Sequence, residues 1–286
     1  MLVHAIRSSR TMWKGQKRRL REAGFEVRTP DLPGHGRRRG ETFTLEAAWA
    51  TIDRAVAACA EPPLLVGLSL GGFLTLSWAA RNPRRLSGLV AADCTIVPGP
   101  ALARIYGLWM VLKDRLPGDA DARVARSFAR AHTRKAAQRY YGGGRADSLI
   151  LRSVVRAVGG LDPLADVAAI QVPLTFVNGE HDPFRRNEAQ FVAAAPRCRL
   201  VILEDAGHVA NLSRPKRFTR VLREAAEAPV STRGGQPGSA GSGFSNSQSC
   251  SSVRTSGTRE VSAPAPASSA SPQTACASSR NSSVVP

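Results

Sequence analysis

The chain reads PPLLVGLSLGGFLTLSWAA over residues 62–80. The apolar run Pro62–Val66 is typical of a buried strand, and the stretch that follows Gly71 has a helical pattern. Between them lies Gly67-Leu68-Ser69-Leu70-Gly71, which predicts a sharp turn with Ser69 Oγ held clear of the backbone at the positive end of a helix. The alternative is an ordinary strand–turn–helix crossing with glycines for tight packing. The position of the motif between a strand and a helix favours a nucleophilic serine.

Two later segments place an acid and a histidine after predicted strands. Val172–Gly179 is typical of a buried strand and runs into Asp182, and the short apolar run Arg199–Leu203 leads to His208. Sites in open α/β sheets lie beyond the carboxyl ends of the strands, so we expect these side chains to meet Ser69 there. A serine nucleophile needs a base, and the base needs a carboxylate that fixes its tautomer.

Each partner of the serine has competitors. Asp182 competes with Glu180 in the same loop and with Asp93, which follows the strand-like run 89–92; an aspartate before a proline is also common in turns. His208 is the expected base, against the alternative of an exposed loop histidine. His181 is expected to be a solvated or substrate-facing side chain.

The N-terminal segment predicts the rest of an acyl-transfer site. Acyl transfer needs two backbone N–H donors aimed at the oxyanion. One is expected from Leu70, the residue after the nucleophile, and the other from Ile6, in the loop after the strand-like run 1–6. His4 is expected to shape this loop rather than to act as a second base.

Together these motifs resemble the α/β-hydrolase fold superfamily, in particular its small esterase-like members. The resemblance spans residues 1 to about 226 and includes residues 2–5, 30–36, 67–71, 178–182 and 206–208. It implies that Ser69 is the nucleophile, Asp182 the acid and His208 the base, and that residues 31–36 form a structural loop near the site.

The chain departs from that family in two places. The family usually has His-Gly where this chain has His4-Ala5, and glycine permits backbone geometry that alanine resists. We therefore expect the loop that presents the Ile6 amide to be strained or shifted. The chain also begins at the strand that usually comes third in the family.

The pattern of predicted elements indicates an α/β protein. Predicted strands near 1–6, 25–31, 63–67, 86–92, 172–178 and 199–203 alternate with helices near 11–23, 45–60, 70–81, 187–195 and 214–226. This alternation predicts the α/β-hydrolase fold, with a mainly parallel sheet flanked by helices. Residues 1–227 are expected to be one hydrolase domain. Residues 228–286 are expected to be a disordered tail, because Ser, Ala, Gly and Pro dominate there.

A helical cap insertion is expected at about residues 95–160, where the alternation breaks. An insertion at this point lies over the edge of the sheet that holds Ser69. Its apolar residues Tyr106, Trp109 and Met110 are expected either to line a substrate pocket or to pack on the core. The glycines 142–144 predict a flexible hinge.

Composition narrows the classes of partner. The formal net charge is +18, but the basic residues are scattered, mostly arginine, and accompany no nucleic-acid-binding module, so we expect a solvated surface and no nucleic acid. The 5 cysteines follow no disulfide or metal-ligand spacing, which predicts a reducing cytoplasm and no metal site. No apolar run has the length of a membrane span.

The sequence therefore predicts a cofactor-free serine hydrolase, monomeric or homodimeric, that cleaves a small, fairly apolar carboxylic ester. A thioester, lactone or amide substrate, perhydrolysis, C–C hydrolysis or lyase chemistry on the same fold, and a non-catalytic binding protein remain alternatives at this stage.

Overall fold

The computed structural model describes residues 1–99, 101, 104–105, 107–108, 111–112, 120–146, 148–228 and 258–260. Within these ranges, five parallel strands form a sheet in chain order. They are β1 (Leu2–Val3), β2 (Leu64–Leu68), β3 (Gly88–Ala92), β4 (Leu174–Gly179) and β5 (Cys198–Leu203). A short strand, β6 (Thr258–Glu260), pairs antiparallel with β5. The other residues of the predicted tail beyond 228 lie outside the described residues.

The register of the sheet aligns the ends of its strands. Leu68 of β2 lies opposite Ala92 of β3, Ala92 lies opposite Val177 of β4, and Val177 lies opposite Val201 of β5. The chain therefore leaves β2, β3, β4 and β5 at one common edge of the sheet, where the predicted site residues follow.

Both faces of the sheet are apolar because helices cover both, as is usual for parallel sheets. Leu65, Leu89 and Phe176 belong to one buried cluster, whereas the neighbouring Val66 and Val90 belong to a second one. The first cluster contains residues of the helices Leu45–Ala57, Leu70–Arg81 and Glu188–Ala194, and the second contains residues of the helices Lys14–Glu22 and Pro215–Glu227. The helices are α1 (Lys14–Glu22), α2 (Leu45–Ala57), α3 (Leu70–Arg81), α4 (Ala120–Ala131), α5 (Arg134–Tyr141), α6 (Ser148–Gly159), α7 (Pro163–Ala168), α8 (Glu188–Ala194), α9 (Ala210–Ser213) and α10 (Pro215–Glu227), with 3-10 turns at Arg10–Trp13 and Gly36–Arg38.

One predicted strand is wrong. Residues 25–31 are irregular, although Leu2 N–H donates to Arg28 O at 2.9 Å. The segment runs beside β1, which is itself only two residues long, and one backbone bond of this kind does not make a strand ladder.

The cap lies between β3 and β4. It contains α4, α5 and α6, so the helical insertion expected at residues 95–160 is present. The predicted hinge at 142–144 is a turn that follows α5, and Gly144 has a φ of +84°. In the part of the chain that the structure describes, no helix is long and apolar enough to cross a membrane.

Candidate active site

The turn after β2 places Ser69 in a conformation that side-chain-bearing residues rarely adopt. Its φ is +55° and its ψ is −115°, and its N–H donates to Ala92 O at 2.9 Å. Ser69 is also the residue that precedes the first turn of α3. A non-glycine residue at positive φ is backbone strain of the kind found at functional sites, and here the surrounding sheet and helix maintain it.

The two glycines of the motif are required by close backbone contacts. A Cβ atom on Gly67 would overlap the carbonyl oxygen of Gly71, and one on Gly71 would overlap the carbonyl oxygen of Val3. The turn is therefore tight enough that residues two before and two after Ser69 must lack side chains. The Gly71 contact also shows how closely α3 begins against the end of β1.

A chain of hydrogen bonds links the three side chains that the sequence predicts. His208 Nε2 lies 3.0 Å from Ser69 Oγ, and His208 Nδ1 lies 3.0 Å from Asp182 Oδ1. An ionised carboxylate can only accept, so Nδ1 carries the hydrogen and Nε2 is the acceptor for the Ser69 hydroxyl. The Asp182 side chain is 0% exposed, whereas that of His208 is 29% exposed. The imidazole therefore faces both a buried carboxylate and an accessible serine.

The other residues considered for the acid and the base are exposed or make other hydrogen bonds. Glu180 is exposed and accepts from Asp205 N–H at 3.0 Å, and the side chain of His181 is 68% exposed. Asp93 is buried, but Nδ1 of His208 bonds Asp182 rather than Asp93.

Three exposed side chains next to the site have the spacing of metal ligands. Atoms of Glu180, His181 and Asp205 lie within 4.8 Å of one another. Both carboxylates have partners within the protein, since Arg214 pairs with Asp205 at 3.0 Å and Glu180 Oε2 accepts from Asp205 N–H at 3.0 Å.

The loop that follows β1 (residues 4–9, the β1 loop) reaches the same place. Ile6 and Leu70, whose amides are the expected oxyanion donors, line one pocket together with Ser69 and His208. His4 is buried; its Nε2 accepts from Leu32 N–H at 2.9 Å, and its Nδ1 lies 2.9 Å from Ala5 O. Burial and the neighbouring His35 lower the pKa of His4 to about 3, so it is a neutral side chain that shapes the loop.

The strain expected at Ala5 is absent. Among the described residues, the non-glycine residues with positive φ are Arg7, Ser69, Asp93 and Asp205. Ala5 is buried and its N–H donates to Met12 Sδ at 3.3 Å. The loop therefore takes its unusual turn at Arg7, with a φ of +59°, and Ala5 lies in a region of φ that alanine tolerates.

Helix α5 of the cap holds the β1 loop from outside. The Tyr140 hydroxyl donates to Ile6 O at 2.7 Å, and Ser8 Oγ donates to Tyr140 O at 2.7 Å. Just beyond the loop, Thr11 Oγ1 donates to Arg139 O at 2.7 Å. The backbone that presents the Ile6 amide is thus fixed by the cap as well as by the sheet.

The pocket beside Ser69 is lined mainly by apolar side chains, is open to solvent, and has a cavity volume of about 100 Å³. Its apolar lining residues are Ile6, Leu70, Phe73, Ile96, Pro98, Val154, Val155, Val158 and Phe184. The three valines of α6 were not among the residues predicted for the pocket, although their spacing is that of one helix face. Tyr106, Trp109 and Met110, which were expected to line this pocket, lie outside the described residues.

Another histidine, which the sequence did not indicate as part of the site, lies near His208. His132 follows α4, and its Nδ1 lies 3.2 Å from Ser213 Oγ. Burial lowers the pKa of His132, and the proximity of His208 lowers it further. The sequence around residue 132 shows no motif, so the position of His132 near His208 could be found only from the three-dimensional structure.

Comparison with known proteins places the chain in a family. Residues 1–221 match the alpha/beta hydrolase family, and the chain belongs to it. It is 28% identical over 246 residues to a pimeloyl-[acyl-carrier protein] methyl ester esterase of Edwardsiella ictaluri, covering 79% of this chain and 92% of that protein. It is 31% identical over 214 residues to the esterase of the same name from Aromatoleum aromaticum, covering 68% and 84%.

Solved structures share the fold. A thermophilic esterase from Thermogutta terrifontis superposes with a TM-score of 0.63 at 23% identity, covering 78% of this chain and 87% of that one. A hydrolase from Pseudomonas aeruginosa superposes with a TM-score of 0.65 at 22% identity, covering 79% and 89%. The predicted α/β-hydrolase fold is confirmed, and the chain is a carboxylesterase-like hydrolase of that fold.

Proposed function

We propose that this protein hydrolyses a small carboxylic ester through a Ser69–His208–Asp182 triad. The observation that supports the proposal most directly is the pair of 3.0 Å contacts that joins Ser69 Oγ, the two nitrogens of His208 and the buried Asp182. This arrangement gives a serine its base and gives the base an orienting carboxylate.

The proposed reaction has two stages. Ser69 Oγ attacks the ester carbonyl carbon while His208 Nε2 takes the hydroxyl proton, and the negative oxygen is held by the amides of Ile6 and Leu70. The C–O bond then breaks, and His208 gives its proton to the departing alcohol. In the second stage His208 takes a proton from water, the resulting hydroxide attacks the acyl-enzyme, and Ser69 recovers its proton as the acid leaves. Asp182 stabilises the imidazolium in both stages.

The pocket and the relatives indicate the kind of ester. The pocket beside Ser69 is lined by the side chains of Phe73, Ile96 and the valines of α6, and this lining favours an apolar acyl or alcohol group. Two similar proteins are named pimeloyl-[acyl-carrier protein] methyl ester esterases. We therefore propose an ester with an apolar acyl group and a small alcohol as the substrate class. We further propose that residues 1–227 are the hydrolase domain of a cytoplasmic monomer or homodimer.

The first prediction tests the nucleophile. A fluorophosphonate should label the protein once, at Ser69, and Ser69→Ala should abolish both labelling and hydrolysis of p-nitrophenyl esters. Ser77→Ala is the matched control, since it removes another buried serine hydroxyl from the same strand–helix unit, and it should still be labelled. Mass spectrometry of the labelled peptide reads the result. Labelling at another residue, or ester turnover that persists in Ser69→Ala, would contradict the proposal.

A further inference from the structure

Asp93 joins the two segments that hold the acid and the base. It follows β3, it is 1% exposed, and its φ is +50°. Its Oδ1 accepts from Gly179 N–H at 3.0 Å, and its Oδ2 accepts from Ala210 N–H at 3.0 Å. Gly179 lies three residues before Asp182, and Ala210 lies two residues after His208. One buried side chain thus fixes the chain on both sides of the site.

Asp93 also contacts Asp182 itself. Asp182 Oδ1 accepts from His208 Nδ1 at 3.0 Å and from Phe184 N–H at 2.9 Å. Asp182 Oδ2 is buried, and among the described residues no N–H or hydroxyl group donates to it. The carboxyl group of Asp93 is within hydrogen-bonding reach of Asp182. Two ionised carboxylates in this position would repel each other, whereas one protonated carboxyl group would supply the donor that Oδ2 lacks.

The electrostatic surroundings favour a proton on Asp93. Burial raises the pKa of Asp93 well above its ordinary value, and the charge of Asp182 raises it further, against the two backbone N–H groups that lower it. Among the described residues, the titratable groups around it are Asp182, His208, which shares the pocket, and the adjacent Cys94. Burial raises the pKa of the Cys94 thiol, so Cys94 adds no charge.

We propose that Asp93 is a positioning residue of the active site, which holds a proton at neutral pH and donates it in a hydrogen bond to Oδ2 of Asp182. The proposal rests on the proposed function, because it assigns Asp182 as the acid. The two carboxyl groups together then hold one negative charge, which matches the single imidazolium that forms on His208. The donated hydrogen bond also fixes the plane of the Asp182 carboxylate, so that Oδ1 faces His208.

Two substitutions separate donation from simple packing. In Asp93→Asn the amide N–H replaces the acid O–H as donor to Asp182, but the amide nitrogen cannot accept a backbone N–H, so one backbone bond is lost. Asp93→Ala removes the donor and both acceptors. Asp93→Asn should therefore keep most of the Ser69 reactivity that Asp93→Ala loses.

An infrared spectrum tests the proton directly and needs no activity. The full chain at neutral pH, with isotope-labelled aspartate to assign the bands, should show the carbonyl-stretching band of a protonated carboxyl group. The band should be absent from Asp93→Asn and present in Asp166→Asn. Asp166 is the matched control because burial also raises its pKa, but it pairs with Arg81 instead of Asp182. A wild-type spectrum without the band, or a band that remains in Asp93→Asn, overturns the proposal. A wild-type spectrum without the band overturns the proposal even if neither variant folds.

The rate of fluorophosphonate labelling at Ser69 tests the positioning role. Asp93→Ala should slow labelling about tenfold, which corresponds to about 1.4 kcal/mol, and Asp93→Asn should be clearly faster than Asp93→Ala. In the wild type, the rate should fall at alkaline pH as Asp93 loses its proton, and this fall should be missing in Asp93→Asn. Equal rates in the two variants would refute the donor role. A wild-type protein that never reacts would refute the proposed function, and the infrared result would still decide the state of Asp93.

Discussion

Removing one hydroxyl group from the cap should weaken catalysis at the β1 loop. Tyr140→Phe deletes the bond to Ile6 O at 2.7 Å and leaves the bond from Ser8 Oγ to Tyr140 O in place. The ring keeps its packing against Phe128, whose centroid is 4.8 Å away. The carbonyl and the amide of Ile6 flank the same Cα atom. A carbonyl that has lost its anchor therefore lets the amide turn away from the oxyanion.

The size of the loss in kcat depends on the contacts that still hold the β1 loop in Tyr140→Phe. Removing a complete oxyanion donor costs about 3 kcal/mol, and one neutral hydrogen bond contributes about 1 kcal/mol to the stability of the arrangement it fixes. Arg7 Nε still donates to Ala146 O at 3.4 Å, so the loop keeps other links to the cap. We expect Tyr140→Phe to cost about 1 kcal/mol of transition-state stabilisation, or about fivefold in kcat. KM should change little, because the oxyanion develops only in the transition state.

Steady-state kinetics on p-nitrophenyl esters of increasing chain length would measure this effect. Tyr141→Phe is the matched control, since it removes the hydroxyl group from the next residue of the same helix, whose ring centroid lies 4.8 Å from that of Tyr140. Thermal unfolding followed by circular dichroism verifies that both variants are folded. A kcat of Tyr140→Phe equal to that of the wild type, or an equal loss in Tyr141→Phe, would refute the idea that this hydroxyl aims the Ile6 amide.

Two other substitutions test the acid and the β1 loop. Asp182→Asn should lower kcat at least about a hundredfold, because the same change in serine proteases leaves the histidine in the wrong tautomer and costs about 10⁴. Glu180→Gln, an exposed control in the same loop, should stay within about twofold of the wild type in the same ester assay, as for ordinary surface changes; similar losses in both variants would exclude Asp182 as the acid. Ala5→Gly should leave kcat unchanged and lower the free energy of unfolding by about 1 kcal/mol in urea titrations, because Ala5 is buried without strain and glycine adds unfolded-state entropy. A rise in kcat would show that the backbone is strained at Ala5 after all.

The parts of the fold with local signals could be predicted from the sequence. Helix α3 has the bounds expected from the glycine-rich turn and the apolar pattern after it, residues 70–81. Thr44, a residue type that commonly caps helices, precedes α2, and its Oγ1 accepts from Ala47 N–H at 3.1 Å. The order of strands and helices follows from the same kind of signal, since each buried strand of a parallel sheet is a continuous apolar run.

The remaining features depend on contacts between distant residues. Whether residues 25–31 form a strand depends on how many backbone hydrogen bonds they make with β1. The side-chain pattern of residues 25–31 does not contain this information. The valines of α6 line the pocket only because the cap folds back over β2 and β3. The contact of Asp93 with Asp182 joins residues 89 positions apart, so the sequence suggested Asp93 only as a competing acid.

The attachment of the β1 loop to α5 limits how freely this protein can be modified. Caps of enzymes are attractive units to exchange when a new specificity is wanted, because they provide much of the pocket wall. In this chain the same insertion also supports the backbone beside the nucleophile, through Tyr140 and Arg139. Exchange of the whole cap would therefore change the catalytic rate as well as the substrate specificity. A transplanted cap would have to reproduce the bonds of Tyr140 and Ala146 to the β1 loop. Changes confined to the valine face of α6 can alter the pocket and leave those bonds in place.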